Sequence, residues 1–498
     1  MPRNVMPFVS APIQHTLATF TLLASLLASL PAAAAAIPER TTTLAEQQHI
    51  ALTIYNQDLA LIKDSRNVTL EAGENALAWR DVSARIRPET ALLRNAPTAG
   101  SGTAGFTLLE QNFDFDLLTP QKLLEKSVGR SLRIIKTNPA TGAESLEEAR
   151  LLSANGGTVL QFADRIESHP AGRIAFQTLP GNLRDRPTLV IRLDAARSGT
   201  QALELSYLSG GLSWKADYVA ELSGREDQLD LNGWVTLTNQ SGASYPDARL
   251  QLVAGNVNRV RDEIAPRAEV MMAMAAPAAA GRMKEESLFE YHLYTLERPT
   301  TLAENQTKQV ALLSASQVSV RKEYRLQGAD YYYRDAFGEI GRAVKPNVFV
   351  EFDNKGRNLG IPLPKGTLRL YKRDKAGNAQ FIGEDRIDHT ARNETVRVRL
   401  GEAFDVSSDR KQTSFKRIAG NNRNGDNIAI VETGFDVQIR NAKDEAVTVK
   451  VVEPMPGDWE MLAETLPHTK ESAHTATWNV TVPAEGKTTL SYRVRIRY

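Results

Sequence analysis

Three strand-like runs separated by turns occupy Ser209–Val260, SGGLSWKADYVAELSGREDQLDLNGWVTLTNQSGASYPDARLQLVAGNVNRV. In the second run, apolar residues alternate with polar ones, which is the period of two expected of a strand with one buried face. The apolar positions of this run are Leu229, Leu231, Val235 and Leu237. Asn239–Gly242 and Tyr245–Asp247 then carry residue types that favour turns. The stretch therefore predicts consecutive strands of a β-sheet, and we expect neighbouring runs to pair with them.

The start of this stretch contains a glycine pair followed by aromatic and acidic residues. Together with the tryptophan of the next run, the residues of this motif are Gly210, Gly211, Trp214, Asp217, Tyr218 and Trp234. One interpretation is a functional site at the turn. The other is structural, with the glycines serving the backbone and the aromatic rings filling the core. We favour the structural interpretation because tryptophan carries the large apolar area that cores use.

Three phrases resemble the bacterial domain of unknown function 4139, a family of uncharacterised exported proteins: GGLSWKADYVAEL, GWVTLTNQSGASYPDARLQLVAGNVNRV and FEYHLYTLERPTTLAENQTKQVALL. The resemblance covers about the C-terminal two thirds of the mature chain. Some relatives, the mucoidy-inhibitor-like proteins, carry a long coiled coil before this domain, but sustained heptads are absent here. A role that depends on that coil therefore does not transfer. The resemblance implies no catalytic residue.

The first 36 residues follow the three-part pattern of a secretory signal. Arg3 is followed by an apolar run, Leu17–Leu30, and by the small-residue tract Ala32–Ala36. We therefore predict a signal peptide over residues 1–36 and an exported protein, periplasmic or else secreted or on the cell surface. The alternative, a retained anchor, needs about 20 apolar residues, and threonine and serine interrupt this run. We expect no transmembrane segment after removal of the signal.

Charge and residue usage exclude several classes of function. Without Arg3 the chain has 59 basic and 59 acidic residues, so no long-range field favours nucleic acid as a partner. The absence of cysteine excludes disulfides, thiolate metal sites and cysteine nucleophiles. His468 and His474 lack the spacing of a zinc-peptidase helix, and the methionines near Met271 lack regular spacing or a nearby histidine. No nucleotide-binding motif is present, and we predict neither a metal nor a cofactor.

Many short alternating runs with turns between them predict an all-β fold with few short helices. We expect an antiparallel β-sandwich or barrel architecture in more than one domain. The predicted parts are an N-terminal β domain over residues 37–260, a flexible Ala/Met-rich linker or loop over 261–286, and an immunoglobulin-like β-sandwich over 287–498. A small barrel-like insert is expected near residues 112–180.

The clearest local signals are one helix and the last strand. Thr119 is a suitable helix cap, Pro120 suits the first helical position and Gly129 favours a stop. In the last strand, apolar residues alternate with Ser491 and three arginines. The apolar positions are Leu490, Tyr492, Val494, Ile496 and Tyr498.

Two aspartates are the candidates for catalysis. In Phe113–Asp116, alternation along a strand places Asp114 and Asp116 on one face, about 7 Å apart. That separation suits an inverting glycosidase, in which the two carboxylates flank a water molecule. A strand with phenylalanine inward and aspartate outward explains the same four residues without chemistry. We favour this second interpretation and assign no catalytic residue.

Two sets of residues are candidates for binding. Tyr331, Tyr332, Tyr333 and Arg334 form an aromatic-rich loop suited to stacking on a sugar or inserting into a partner; the alternative is packing between domains. The second set is basic and suits an anionic envelope polymer, although charged side chains also protect strand edges from association. Its members are Arg410, Lys411, Lys416, Arg417, Arg423, Arg493, Arg495 and Arg497.

These observations favour an exported, non-catalytic β-protein that acts as an interaction or assembly module of the cell envelope. Its partner would be an envelope protein or a polysaccharide, and the loop at Tyr331 is the preferred surface because loops commonly carry binding residues. The alternative is a carbohydrate-active hydrolase whose carboxylates gather only in the folded chain. A cleft lined by acidic residues with raised pKa values would favour that alternative.

Overall fold

The computed structural model describes residues 37–96, 105–114, 116–180, 183–258, 283–356, 359–421 and 427–498. Residues Glu39–Tyr498 form one compact unit. The structure is 65% strand and 4% helix, which confirms the predicted all-β class. The predicted signal peptide and most of the predicted linker lie outside the described residues. None of the described helices is long and apolar enough to cross a membrane.

The strands of the described residues are, in chain order, β1 Glu39–Thr42, β2 Gln47–Tyr55, β3 Leu59–Leu70, β4 Gly73–Arg80, β5 Leu92–Asn95, β6 Phe106–Asp114, β7 Ser131–Thr137, β8 Glu144–Ser153, β9 Val159–Gln161, β10 Ile166–Ser168, β11 Arg173–Ala175, β12 Thr188–Ala195, β13 Gly199–Ser209, β14 Leu212–Leu222, β15 Gln228–Asn239, β16 Tyr245–Ala254, β17 Met283–Leu288, β18 Tyr291–Leu296, β19 Thr300–Leu302, β20 Gln306–Gln327, β21 Glu339–Val344, β22 Asn347–Asp353, β23 Gly366–Arg373, β24 Ala379–Ile387, β25 Thr395–Glu402, β26 Val406–Asn421, β27 Asn427–Asn441, β28 Val447–Pro454, β29 Asp458–Glu464, β30 Thr469–Ser472, β31 Thr475–Val482 and β32 Lys487–Arg497. One α-helix, α1 Pro120–Glu125, and three 3-10 helices, Leu44–Glu46, Pro88–Thr90 and Asp330–Tyr333, complete the set.

These strands form sheets in which most neighbours are antiparallel, as the sequence predicts. The orders are β1-β4-β12-β6, β10-β9-β8-β7-β11, β17-β18-β16-β2-β3-β13-β5 with β19 on β16, β24-β23-β14-β15-β20-β28-β31-β30 with β22 on β20 and β25 on β22, and β21-β26-β27-β32-β29. Among the described strands, the pairs β1/β4, β14/β23, β16/β2 and β20/β28 are parallel. None of the described sheets closes into a barrel.

The stretch at Ser209–Val260 forms β14, β15 and β16. β14 and β15 are an antiparallel hairpin in which Asp217 lies opposite Trp234. Gly233 has a packing role, because a Cβ there would lie 3.2 Å from the ring of Tyr218 and 2.9 Å from the side chain of Leu313. The alternation of β15 therefore places large side chains in the core and leaves room for them at one glycine.

The predicted insert near residues 112–180 contains α1 and the sheet of β7 to β11. The predicted helix is confirmed: Thr119 accepts a hydrogen bond from the backbone N–H of Lys122 at 3.1 Å, and Pro120 is its first residue. The sheet encloses a small core of its own, made of Leu132, Ile134, Ala149, Leu151, Leu160 and Phe162. Its outer strands, β10 and β11, do not pair with each other. The insert is therefore an open sheet instead of the barrel that we expected, because its two edges do not meet.

Sheet pairing crosses the segment that the sequence interprets as a linker. β16, which precedes it, pairs with β18, which follows it, through Gln251–Ala254 and His292–Thr295. β14 likewise pairs with β23. The first residues after 282 belong to β17. The division into residues 37–260 and 287–498 stays a prediction about folding units.

Two large cores separate the layers of the described chain. One lies under the sheets that contain β2, β3, β14 and β15. The other lies between β28 and β31 on one side and β26, β27 and β32 on the other. In this second core Trp478 stacks on Tyr492 with ring centroids 4.8 Å apart. Two sheets facing each other across one core form a β-sandwich, as predicted for the C-terminal part.

One strand corner occurs three times in the described chain. At each corner a buried asparagine lies at the end of a strand, and its side-chain amide donates hydrogen bonds to its own loop and to a distant strand end. The asparagines are Asn239, Asn354 and Asn441, exposed by 0%, 0% and 3%. The distant acceptors are the carbonyls of Ala303, Ala391 and Pro483, at 3.0, 2.9 and 2.9 Å.

The backbone around the three corners also matches. Two residues after each distant acceptor, the chain has a positive φ, at Asn305, Asn393 and Glu485, with values of 56°, 68° and 50°. The residue before each asparagine pairs with the residue two positions after that turn: Thr238 with Thr307, Asp353 with Thr395 and Arg440 with Lys487. The same contacts in the same register indicate that one β-module is repeated three times between β14 and β32.

Candidate functional site

A groove of about 860 Å³ opens at one end of the C-terminal sandwich, beside the 3-10 helix Asp330–Tyr333. Its lining includes Arg334, Arg417, Ile418, Val431, Pro456 and Tyr498. The volume lies within the range of about 300–1,000 Å³ that is typical of ligand sites, and a mainly apolar wall with a few polar groups is typical as well. We call this feature the arginine groove.

The floor of the arginine groove continues the inner face of the sandwich. Arg417 on β26 lies opposite Val431 on β27, which lies opposite Ile496 on β32. Residues in register across neighbouring strands point to the same face of the sheet. Ile496 also belongs to the second core, and Val431 is buried. The inner face of this sheet therefore contributes Arg417 and Val431 to the wall of the groove.

Two guanidinium groups stand at the rim of the groove. Arg334 forms an ion pair with Asp330, and its side chain is 62% exposed. Arg417 forms an ion pair with Asp335 at 3.3 Å and is 66% exposed; it also donates a hydrogen bond to the carbonyl of Arg334 at 3.0 Å. Exposed ion pairs contribute about 0–1 kcal/mol. Both guanidinium groups can therefore exchange their aspartate for a ligand anion at little cost.

Tyr498 closes one side of the groove. Its hydroxyl donates a hydrogen bond to the carbonyl of Tyr333 at 3.1 Å, and its backbone N–H donates to the carbonyl of Ala429 at 2.9 Å. Partial burial raises the pKa of Tyr498, and the nearby charge of Arg334 opposes that rise. The hydroxyl is therefore neutral and holds the loop against the end of β32.

A buried ion pair supports the loop from below. Nη2 of Arg410 on β26 lies 2.6 Å from Oε1 of Glu453 on β28, and the two side chains are 6% and 0% exposed. Tyr333 donates a hydrogen bond to Oε2 of Glu453 at 3.0 Å, and its hydroxyl lies 3.0 Å from that of Tyr492. Burial raises the pKa of Glu453, and the charge of Arg410 opposes that rise. The pair joins the two sheets of the sandwich immediately under the loop.

The loop approaches this pair closely because of a glycine. A Cβ at Gly328 would lie 2.0 Å from Oε2 of Glu453 and 2.9 Å from Nη1 of Arg410. Both distances are shorter than van der Waals contact, so any side chain there would displace the carboxylate. Gly328 is therefore required for the path that brings the chain from β20 to the groove.

The structure separates the four residues that the sequence groups as one binding surface. Tyr331 is 50% exposed and lies edge-on to Phe337, with ring centroids 5.8 Å apart. Tyr332 is half-buried, with the guanidinium of Arg410 4.8 Å from its ring centroid. Tyr333 is buried, and Arg334 lines the groove. Tyr331 and Arg334 are available to a ligand, whereas the other two tyrosines position the loop.

The other walls of the groove are not predicted from the sequence. Arg417 appears in the basic set, but nothing in its neighbourhood marks it as different from Arg410, which is buried. Tyr498 appears only as the last apolar position of an alternating strand. These residues share only a position near the end of their strands, which no local pattern marks. A β-pairing prediction for β26 to β32 would be needed to find it.

The two aspartates considered for catalysis are each held by cations. Asp114 ends β6 and accepts a hydrogen bond from Arg184 at 2.8 Å. Asp116 accepts from Nζ of Lys126 at 2.6 Å. The hydrogen bond from Lys126 is the main cause of a lowered pKa at Asp116, whereas a general acid needs a raised pKa. The glycosidase hypothesis stays a prediction, and the surroundings of Asp116 do not favour it.

The motif around the first turn is held by structural contacts. Gly211 has a φ of 79° and donates a hydrogen bond from its backbone to Asp58 at 2.7 Å, next to Gly210. Asp217 accepts from Thr236 at 2.8 Å, and Tyr218 donates to the carbonyl of Pro364 at 2.7 Å. Trp214 is 3% exposed, and Trp234 is half-buried. These contacts fit the structural interpretation, and a functional role of the motif stays untested.

The histidines considered for metal binding have separate partners in the described chain. Nδ1 of His468 lies 2.9 Å from Glu464, and Nδ1 of His474 lies 3.2 Å from the carbonyl of Gly457. The described residues contain no group of three histidine or acidic side chains arranged to hold a metal ion.

The three asparagine corners and the open, arginine-lined groove belong to an all-β fold. Residues 203–498 match the family described as Domain of unknown function (DUF4139), and the chain belongs to this family. The matched segment begins within β13 and includes all three corners and the arginine groove. A comparison with curated proteins found no match.

Proposed function

We propose that this chain is an exported, non-catalytic module of the cell envelope that holds an anionic partner in the arginine groove. The observation that supports this proposal is the combination of two exposed guanidinium groups with an apolar floor. Guanidinium groups recognise carboxylates through paired, planar hydrogen bonds. The apolar floor adds the hydrophobic contribution that an exposed ion pair lacks.

The partner that fits this surface best is a protein segment with acidic and apolar side chains. Ile418 and Pro456, which are partly exposed, offer the partner apolar contact, while Arg334 and Arg417 stand above them. A purely ionic polymer would use the arginines and leave the floor empty. Tyr331 stands beside the groove and extends the surface with an exposed ring.

The experiment is photo-crosslinking in the native envelope. A photoreactive amino acid replaces Tyr331 in the tagged full chain, and the captured species are identified by mass spectrometry. The proposal predicts a discrete adduct that is lost when Arg334→Ala and Arg417→Ala are combined. The matched control is Arg225→Ala, because Arg225 is also exposed and paired with an aspartate but lies elsewhere on the surface.

Other outcomes would overturn the proposal. An adduct that survives the double substitution would place binding outside the groove. Hydrolysis of an envelope glycan by the wild type that is lost in Asp114→Asn would favour the carbohydrate-active hydrolase. The export part of the proposal is tested by fractionating the cells and sequencing the N terminus of the purified chain. A first residue at Ile37 supports export, and an intact N terminus in the cytosolic fraction overturns it.

A further inference from the structure

The tip of the hairpin between β17 and β18 presents a phenylalanine in an unfavourable conformation. Leu288 pairs with Tyr291, so the loop has only two residues, Phe289 and Glu290. Phe289 has a φ of 55° and is 87% exposed. A bulky residue is strained at positive φ, where glycine or asparagine is preferred. The positive φ strains the backbone, and the exposed ring leaves apolar area in water. Neither feature stabilises the isolated chain.

The other exposed phenylalanines of the described chain have partners, and Phe289 differs from them. Phe404 lies under the amine of Lys345 at 4.4 Å, Phe381 contacts the ring of Tyr371 at 5.7 Å, and Phe337 contacts Tyr331. No ring or cation contact is formed by Phe289 within the described residues. An exposed ring without a partner, on a strained backbone, is typical of an anchor that is buried only in a complex.

The base of the hairpin is held firmly, so the tip is presented outward. β18 is hydrogen-bonded to β16 through His292–Thr295. Tyr291 packs against the backbone of Gly255, where an added Cβ would lie 2.4 Å from its ring. Glu285 lies 2.9 Å from Nδ1 of His292. These contacts fix the hairpin up to the two residues of its loop.

The chemistry of the tip complements the arginine groove. Glu286 and Glu290 flank the apolar pair Leu288 and Phe289, and all four residues are exposed. Neither of these two glutamates forms an ion pair within the described residues. In the groove, two guanidinium groups flank apolar walls, so charges and apolar surfaces correspond. Phe289 does not occupy the groove of its own chain, because its ring is exposed.

We propose that the β17–β18 tip of one copy docks into the arginine groove of a second copy, with the Phe289 ring on the apolar floor and Glu286 and Glu290 on the two arginines. The contact joins two different surfaces, so a docked pair still has one free tip, on one copy, and one free groove, on the other. Such a heterologous contact produces head-to-tail chains instead of closed dimers. This inference rests on the proposed binding role of the groove and identifies its partner.

The test is sedimentation velocity of the purified full chain over a range of concentrations. The wild type is expected to give a weight-average mass that rises with concentration. Phe289→Asn is expected to weaken association by about tenfold or more, as for an interface anchor, while its melting temperature stays equal or rises because asparagine tolerates positive φ. Phe404→Asn is the matched control, since that ring is equally exposed but lies outside the tip.

Two defective variants distinguish the head-to-tail contact from other modes of association. Arg417→Glu damages the groove and leaves the tip intact, whereas Phe289→Asn damages the tip and leaves the groove intact. Each variant alone is expected to be monomeric. An equimolar mixture is expected to form dimers and nothing larger, because only one intact tip and one intact groove meet. Chains that persist in either variant, or a mixture that stays monomeric, would overturn the proposal.

The self-docking contact and the proposed binding role of the groove can fail independently of each other. A wild type that is monomeric at all concentrations, with an envelope adduct that still depends on Arg334 and Arg417, overturns the self-docking contact and leaves the binding role intact. Self-association that depends on Phe289, without any other adduct, supports the contact and overturns the part of the proposed function that requires a separate envelope partner.

Discussion

Arg410→Met breaks the buried ion pair under the groove and leaves the carboxylate of Glu453 without its cation. The side chains are 6% and 0% exposed, so water does not replace the lost partner. Removing one member of a buried pair costs about 3–5 kcal/mol, whereas replacing both members by apolar residues of similar volume is often neutral or stabilising. We therefore expect Arg410→Met to lower the free energy of local unfolding by about 3–5 kcal/mol. Combining it with Glu453→Met should recover most of that loss.

Amide hydrogen exchange measured on β26, β28 and β32 provides the assay, because it reports the free energy of opening of each strand in a chain that has several cores. Exchange should accelerate in all three strands in Arg410→Met and return toward the wild-type rate in the double variant. The matched control is Arg440→Met, because Arg440 pairs with Asp409 at the surface and should contribute about 0–1 kcal/mol. Equal effects of Arg410→Met and Arg440→Met would refute the reasoning, and so would a double variant less stable than both single variants.

Three further predictions concern the asparagine corners, one acid-sensitive carboxylate and one glycine. Asn441→Ala removes amide hydrogen bonds from buried carbonyls and should destabilise the C-terminal module by about 2–3 kcal/mol, measured as faster exchange in β27 and β31; an effect under about 0.5 kcal/mol would contradict the role of the corner. At Glu226, partial burial favours a higher pKa, but hydrogen bonds from Lys322 and Lys372 outweigh it and lower the pKa from 4.5 to about 2. Because the folded-state pKa is lowered, the stabilisation is present above pH 4.5 and is lost as the pH falls toward 2. Glu226→Gln keeps the same positive φ and should cost about 1–2 kcal/mol at pH 7 and nothing near pH 2, as measured by urea unfolding at both pH values; a constant difference would argue against the shift. Gly328→Ala should destabilise the loop at the groove and lower the crosslinking yield at position 331, and wild-type stability of that variant would contradict the steric argument.

Alternation in the sequence predicts the strands well because the period of two depends only on which face is buried. β15 follows its predicted apolar positions, and β32 follows four of five, since Tyr498 lies past its end and is exposed. α1 begins at the predicted proline because cap and first-turn preferences act within a few residues. The barrel expected near residues 112–180 is an open sheet, since closure depends on whether two distant edges meet. Short-range patterns contain no information on that point.

The groove is less predictable because its walls come from residues that are far apart in the chain. Arg334 and Tyr498 meet only because β32 ends beside the loop that follows β20. Arg410 and Arg417 belong to the same basic run, yet one is buried with Glu453 and the other stands at the rim. The strand bulge between Gln412 and Ser414 lies between them. Because of this bulge both arginines lie on the inner face, Arg410 opposite Val437 and Arg417 opposite Val431, and they differ in burial by their position along β26. The residue pattern shows neither the bulge nor that position.

The asparagine corners have a mechanical consequence. Each one joins a strand end to a carbonyl 64, 37 or 42 residues further along the chain. A force applied to the two ends of the chain would act on these hydrogen bonds before it reaches the interior of each module. We expect the region from β14 to β32 to extend in discrete steps under tension, with the corners as the points of rupture and the longest step at the first corner. A protein that assembles end to end through its surface would thereby absorb strain within the chain while its contacts remain closed.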